Sequence, residues 1–507
     1  MKRVISPTEE VVSSPFTLDN MRAAVHKVAR ALILNHKIYI QVDSDCDGYT
    51  SAAVLINYLH SILPRTVENN VSWGLHDEKT HGIDIDTVSS NDYNLVIVPD
   101  ASSNENGIHK SLAAHGIDVV VLDHHQATYD EDDPAIIVNN QMSEFYNNSA
   151  LSGVGIVYQF CKAFDALMGF DNADNFLDLV AVGNIGDMMD LRSPETRYFI
   201  NQGLNNIQNL FLKILIEKQS FVMKNELNPF TIAFYIVPLI NAVTRVGTEE
   251  EKKSLFLGLI DYYAPTVCAS TRRGRVPGET ETIAARAARI VSTVKNRQEK
   301  EKKQSIESLQ PTVNKIIEEQ QPILIIKSPI ELGGLTGLLA NYYMALYRKP
   351  CFLLHKNEEG NWSGSARGFI TEEVNDWREY MEKTGDVVFA EGHPFAFGIE
   401  FTDAGLANFT KKIELGQILT KPTEKMYEVD FEWNNTDDFD KYILAIARLG
   451  HLWGQGLHEP YVVLKNMKIY KSNISLLKND TIKFNLKNHT TTLIKFKDPD
   501  MCTAFSE

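Results

Sequence analysis

Four short apolar runs, each ending in polar residues, constrain this chain more than any other feature. They are KIYIQVD (Lys37 to Asp43), NLVIVPD (Asn94 to Asp100), DVVVLDHH (Asp118 to His125) and AIIVNN (Ala135 to Asn140). Each has a Val- and Ile-rich core that is apolar on successive residues, as in parallel strands buried on both faces. Helix-like segments lie between them, such as SAAVLINYLHSIL (Ser51 to Leu63) and IHKSLAAHGI (Ile108 to Ile117). The alternation predicts an α/β unit with a parallel sheet, whose ligands sit beyond the carboxyl ends of the strands. Three of these strands end in Asp, and one of those Asp residues is followed by two histidines.

The first acidic end reads DSDCDG, with Asp43, Asp45 and Asp47 on alternate residues. Alternating Asp beyond a strand converges three carboxylates on one loop, Gly48 allows the tight turn, and a helix can start from Thr50. Hard divalent cations take oxygen ligands, and Mg²⁺ or Mn²⁺ suit such a site. The same spacing opens a calcium loop of the helix–loop–helix kind. Counting from Asp43, however, its twelfth position is Val54 where a bidentate Glu is needed. Asp100 ends the second acidic strand, and Asp123, His124 and His125 end the third. Asp187, in DLVAVGNIGDMMDL (Asp178 to Leu191), falls at a helix end or turn. Singly, any of these is an ordinary helix cap or a structural His. Together, carboxylates and an imidazole at four chain positions predict a two-metal centre in which one carboxylate bridges the ions.

The chain has 507 residues, 44 % hydrophobic and 23 % charged, an ordinary globular composition with room for about three domains. Its formal net charge of −16 opposes broad adhesion to nucleic acid or anionic membrane, although a local basic track would suffice for a nucleic-acid enzyme. The cysteines, Cys46, Cys161, Cys268, Cys351 and Cys502, are dispersed and form no CxxC pair. A disulfide framework and a Cys-built zinc site are disfavoured, and a reducing, cytoplasmic setting fits. No apolar run approaches the ~20 residues of a membrane helix, and the first residues show no apolar signal core.

Beyond the first α/β unit, Glu279 to Gln320 is rich in Ala, Glu, Lys, Arg and Gln and reads as one long, mostly solvated helix or two in series. A second α/β pattern follows: PILIIKSP (Pro322 to Pro329), a Gly-rich turn, a helix at Leu338 to Tyr347, then PCFLLHK (Pro350 to Lys356). From about Tyr427, alternating runs such as YVVLKNMKIY and TIKFNLK predict a small β module. The expected units are 1–278, a connector helix 279–320, a second α/β domain 321–420 and a β module 421–507.

DSDCDG, VIVPD, VLDHH and VGNIGD, in that order, resemble the four motifs of the DHH phosphoesterase superfamily. LSGVGIVYQF (Leu151 to Phe160), PLINAVTRVG (Pro238 to Gly247), GLTGLLANYYMALYRKP, SGSARG, GHPFAFG and HLWGQGLHEP (His451 to Pro460) narrow the resemblance to RecJ-like single-strand-specific exonucleases. It implies a DHH-type parallel-sheet domain, a DHH-associated domain and an OB-like module. It implies that Asp45 and Asp47 bind one Mn²⁺ or Mg²⁺ ion each, that Asp100 bridges, that His124 and Asp187 complete the second ion, and that Asp43 supports the first. His125, beside Asp123, would contact the scissile phosphate or assist the leaving group. Some superfamily members carry His where this chain has Gln41.

In the second domain the resemblance makes Ser365 and Arg367, with Arg245 from the first domain, contacts to a DNA 5′ phosphate; His393 in EGHPFAFG is a further candidate for the phosphate, or else a structural His. Close backbone N–H groups plus a guanidinium make a phosphate cradle. The implied activity is metal-dependent 5′→3′ hydrolysis of single-stranded DNA in repair, recombination or replication, beside a helicase or a single-strand-binding protein. No GxSxG element suggests a serine nucleophile. The alternatives are a phosphodiesterase of short RNA or cyclic dinucleotides, and a non-catalytic replication scaffold. Arg272, Arg273 and Arg275 form a candidate strand-tracking cluster. Lys295 to Lys303, interrupted by acids, reads as a solvated face, and Trp362 and Trp433 read as packing residues.

Overall fold

The computed structural model describes residues 5–76, 80–128, 130–369, 374–418, 428–478, 480–496 and 498–505. Five parallel strands, β1 (Ile38–Val42), β2 (Val71–Leu75), β3 (Leu95–Pro99), β4 (Asp118–Asp123) and β5 (Ile136–Asn139), form one sheet in the order β2-β1-β3-β4-β5. β1 and β3 are buried at every residue, because apolar groups cover the sheet on both sides. Tyr39, Val96, Val98, Val119 and Val121 pack into one layer, and Ile38, Ile40, Ile97, Val120 and Leu122 into the other. The strand order reverses direction at β1 and β3, where an open α/β sheet leaves a crevice. DSDCDG follows β1, Asp100 follows β3, and β4 with its His pair lies next to β3.

β2 has no counterpart among the expected strands. Its WGL run is short and only partly buried, as suits an edge. The helix after β1 starts at Cys46 rather than at Thr50 and runs to Ile62. Asp45 caps it by accepting from the Gly48 N–H at 3.0 Å, so Asp47 lies inside the first turn.

Val267–Ala269 (β6) and Thr280–Thr282 (β7) form a hairpin that leads into one helix, Ile283–Glu318. The helix continues through Pro311 because both of its ends are packed. Ala284, Ala287, Ala288, Val291 and Val294 join the first core, and Leu309 and Val313 join a core under the second sheet. It is thus half-buried along its length rather than mostly solvated. Lys303 does face outward, beside Glu307, whereas Lys295 is partly covered and pairs with Glu299.

The second sheet is mixed, in the order β11-β12-β10-β9-β8: Leu324–Lys327 (β8), Cys351–Lys356 (β9), Trp362–Arg367 (β10), Phe389–His393 (β11) and Ala396–Phe401 (β12). The C-terminal region is β-rich, as expected. Phe431–Asn434 (β13) pairs with Val462–Lys465 (β14), and Ile474–Leu477 (β15), Thr481–Asn485 (β16) and Thr492–Lys495 (β17) form an antiparallel sheet consistent with an OB-like module. It is tied to the first domain through fully buried Arg197, which donates to the Leu191 and Leu452 carbonyls at 2.8 and 3.0 Å. The boundary placed at 420/421 lies outside the described residues. All five cysteines are free. Among the described residues one helical stretch, Pro229–Val246, is long and apolar enough to cross a membrane; 56 % of it is buried inside this protein.

Candidate metal centre and phosphate cradle

The strand ends bring the acidic set together. Ligand-type atoms of Asp43, Asp45 and Asp100 lie within 4.8 Å of one another, as do those of Asp47, His124 and Asp187, and those of Asp100, Asp123, His124 and His125. Asp100 and His124 each link neighbouring groups. Asp100 sits at φ 69°, a left-handed backbone that a β-turn or Gly normally takes, and its N–H is held by the Leu122 carbonyl at 2.8 Å. Asp187 caps the carboxyl end of the helix Leu177–Gly186.

The surroundings favour a cation. Asp100 Oδ1, His124 Nε2 and Asp187 Oδ2 are buried and have no hydrogen-bond partner among the described residues. His124 Nε2 stands 3.3 Å from Asp100 Oδ1 and 3.4 Å from Asp187 Oδ2. Two ligands ~2.1 Å from one ion and roughly 90–110° apart stand about 3.0–3.4 Å from each other. Burial, then the charge of Asp45, pushes Asp47 up to about 6. Burial, then the neighbouring carboxylates, holds Asp100 and Asp187 well above the usual range. Burial, then the charge on His125, pulls His124 down to about 4, which leaves the neutral imidazole that a metal ligand must be. The donor set of hard oxygens and one imidazole therefore fits Mn²⁺ or Mg²⁺.

Local structure aims each ligand. Asp47 Oδ2 accepts the Gly153 N–H at 2.7 Å, and its Oδ1 accepts from Ser152 Oγ at 2.9 Å, so the amino end of the helix Gly153–Met168 faces this carboxylate. Asn241 Oδ1 accepts the Cys46 N–H at 3.0 Å and secures the turn after Asp45. Asp123 is fully buried and accepts from His125 Nδ1 at 2.8 Å and from the His124 and Ser103 N–H groups. Burial alone would lower His125, but its hydrogen bond to Asp123 and that residue's charge raise it to about 9. Asp123 thus orients and charges His125 through Nδ1.

The second domain closes on this site. The rings of His125 and His393 lie 6.5 Å apart between centroids. Ser365 and Arg367 sit on one face of β10 and converge on Gly337, in the first turn of the helix Thr336–Tyr347. A Cβ there would lie 2.6 Å from an Arg367 terminal nitrogen and 3.6 Å from Ser365 Oγ, so the cradle needs glycine. Arg245 reaches it from the first domain: its backbone packs against Gly334, and its Nε is buried without a hydrogen-bond partner among the described residues. Burial, then the charge of Arg245, lowers Arg367 to about 10. Two desolvated guanidiniums beside a helix amino end call for an anion.

Arg272, Arg273 and Arg275 lie in the exposed turn of the β6–β7 hairpin, with Arg272 paired to Glu279 at 3.2 Å. Trp362 donates Nε1–H to Asp403 and lies under Lys327 and Lys356. Trp433 stacks with Phe431, Phe439 and Tyr442 inside the C-terminal module. Sequence reasoning gave no role to Ser152, Asn241, His76, His81 or Glu105, although Ser152 and Asn241 stand inside the LSGVGIVYQF and PLINAVTRVG segments and Glu105 lies shortly after Asp100.

A parallel sheet whose reversal point carries paired cation sites, opposite an anion cradle, defines a cation-dependent phosphoesterase. Residues 37–184 match the model of the DHH family, N-terminal domain. YorK of the SPbeta prophage in Bacillus subtilis (strain 168), named as a single-strand DNA-specific exonuclease, is 34 % identical over 494 residues, 96 % of this chain and 82 % of the relative. The single-stranded-DNA-specific exonuclease RecJ of the same organism is 27 % identical over 405 residues, 76 % of this chain and 46 % of that protein. Crystal structures of RecJ from Thermus thermophilus with Mn²⁺ and with Mg²⁺ superpose with TM-scores of 0.75 and 0.70 at 18 % identity, spanning 98 and 99 % of this chain and 68 and 67 % of theirs. The chain belongs to the DHH family and, within it, to the RecJ-like single-strand-specific exonucleases.

Proposed function

We propose that this protein removes nucleotides from the 5′ end of single-stranded DNA by hydrolysing the terminal phosphodiester, in repair, recombination or replication. The observation that carries the reading is the approach of His393 to His125, 6.5 Å between ring centroids, which sets the second domain's anion cradle opposite the acidic cluster.

Asp43, Asp45 and Asp100 would hold one divalent cation, and Asp47, His124 and Asp187 the other, with Asp100 between them. When bound, the pair supplies a nucleophile of lowered pKa and neutralises the phosphate. Arg245, Arg367 and Ser365 hold the 5′ phosphate and so set the polarity. His125, kept protonated by Asp123, donates a hydrogen bond from Nε2 to a scissile phosphate oxygen or to the departing oxygen. A helicase or a single-strand-binding protein would present the strand, and the four units at 1–278, 279–320, 321–420 and 421–507 divide these tasks.

The test is Mn²⁺-dependent digestion of single strands labelled at either end, beside duplex DNA, short RNA and cyclic dinucleotides. Mononucleotides released first from the 5′ end of single strands are expected. Digestion from the 3′ end, or of dinucleotides alone, would overturn the reading.

A further inference from the structure

Asp43 is 2 % exposed, yet both of its carboxylate oxygens lie within hydrogen-bond distance of one side chain: His81 Nδ1 stands 2.8 Å from Oδ2 and 3.0 Å from Oδ1. His81 belongs to no motif. It lies on the segment after β2, 38 residues along the chain from Asp43.

Three further hydrogen bonds fasten the segment around the site. Ser44 Oγ donates to the Thr80 carbonyl at 2.6 Å. The Ile83 N–H donates to Glu105 Oε2 at 3.0 Å, and the Asp84 N–H to Gln41 Oε1 at 3.0 Å. Gly82 sits at φ +80°, where a Cβ would meet Glu105 Oε1 at 2.1 Å, so this turn closes only around glycine. The same Glu105 carboxylate also accepts from Ser102 Oγ, two residues after Asp100. One carboxylate, that of Glu105, therefore joins the turn that aims Asp100 to the loop that carries His81.

Gln41 reinforces the arrangement from below. Its amide nitrogen lies 3.2 Å from His76 Nε2, while its oxygen holds the Asp84 N–H. Gln41 thus serves as a loop anchor and is committed away from the cluster.

We propose that His81 is the positioning residue for Asp43. It donates Nδ1–H to the carboxylate and fixes the orientation in which its oxygens face the first cation. A carboxylate ligand otherwise rotates about its Cβ–Cγ bond, and a donor from outside the ligand shell holds its orientation and tunes its basicity. The inference rests on the two-cation reading above.

The probe is Mn²⁺ alone, titrated calorimetrically into the metal-free full-length chain, with no substrate present. The wild type is expected to bind two ions. His81→Ala weakens one of the two by about 10- to 100-fold and leaves the other within a few-fold, the range seen when an outer donor is removed. His81→Asn, whose amide can donate from near the position of Nδ1, recovers most of the loss. Unchanged affinities in His81→Ala would overturn the proposal, as would His81→Asn binding no better than His81→Ala. A wild type that takes up no ion pair would overturn the two-cation reading itself, a distinct result visible before any variant is made.

Discussion

Asp100 Oδ1 and His124 Nε2 face each other across 3.3 Å with no hydrogen bond between them, and both are buried. A cation between them explains both the distance and the missing bond. Asp100→Asn should therefore abolish strand cleavage and remove most of the thermal stabilisation that Mn²⁺ gives. It should also raise the melting midpoint in EDTA by a few degrees, because one of several mutually repelling carboxylates is gone. Melting curves in EDTA and in Mn²⁺, run beside the cleavage assay, check all three.

Stability against pH follows from the same carboxylates. Burial, then Asp45, raises Asp47 to about 6 in the folded, metal-free protein, above its unfolded value near 4. A carboxyl whose folded pKa is raised binds its proton more tightly when folded. The metal-free protein should therefore lose stability as pH rises from about 4 to about 6, by an amount on the order of a few kcal/mol. Protons compete with metal, so the stabilisation by Mn²⁺ should grow over the same interval. Denaturant melts in EDTA and in Mn²⁺ at stepped pH test both slopes. A flat metal-free profile would contradict the assignment.

Gly153 carries a constraint that no charge reveals. A Cβ at this position would stand 2.2 Å from Asp100 Oδ1, while the residue's own N–H holds Asp47 at 2.7 Å. Gly153→Ala should displace Asp100, at a cost of roughly 1–3 kcal/mol in stability and a larger loss of turnover. Gly155→Ala is the matched comparison: the atoms nearest its Cβ would be those of the Leu151 side chain. It should cost stability with far less loss of Mn²⁺ affinity. Equal effects of the two on Mn²⁺ binding would count against a special role for Gly153.

The reach of sequence reading has a physical pattern. Asp43, Asp45, Asp100, Asp123 and His124 were legible because each follows a buried apolar run, and neighbouring parallel strands must end side by side. Asp47 was legible as an acid but misplaced on a loop, since the Asp45 cap starts the helix four residues early. The long helix was visible in composition. Its continuity through Pro311 was not, because that depends on two separate cores packing its ends. His81 and Glu105 were illegible for a related reason: each reaches the site through a loop closure decided by tertiary packing, so nothing in its type or spacing marks it. Ser152 and Asn241 stood within the LSGVGIVYQF and PLINAVTRVG segments, but their bonds to Asp47 and Cys46 depend on how their helices pack.

Arg367 tests the division of labour between the domains. Its guanidinium is desolvated beside that of Arg245, with Ser365 and the helix turn at Gly337 next to it, and none of these groups belongs to the acidic cluster. On the proposed reading, removing it deletes a charge-assisted contact to a terminal phosphate and relieves the repulsion on Arg245. Arg367→Ala should raise KM for 5′-phosphorylated single strands by about 10- to 100-fold while changing kcat by only a few-fold. Arg367→Lys should recover the charge but not the fork, leaving KM between the two. Strands with a 5′ hydroxyl should show little difference between wild type and variant. Steady-state kinetics on the two kinds of end decide the matter, and an equal KM penalty on both would place Arg367 along the strand rather than at its terminus.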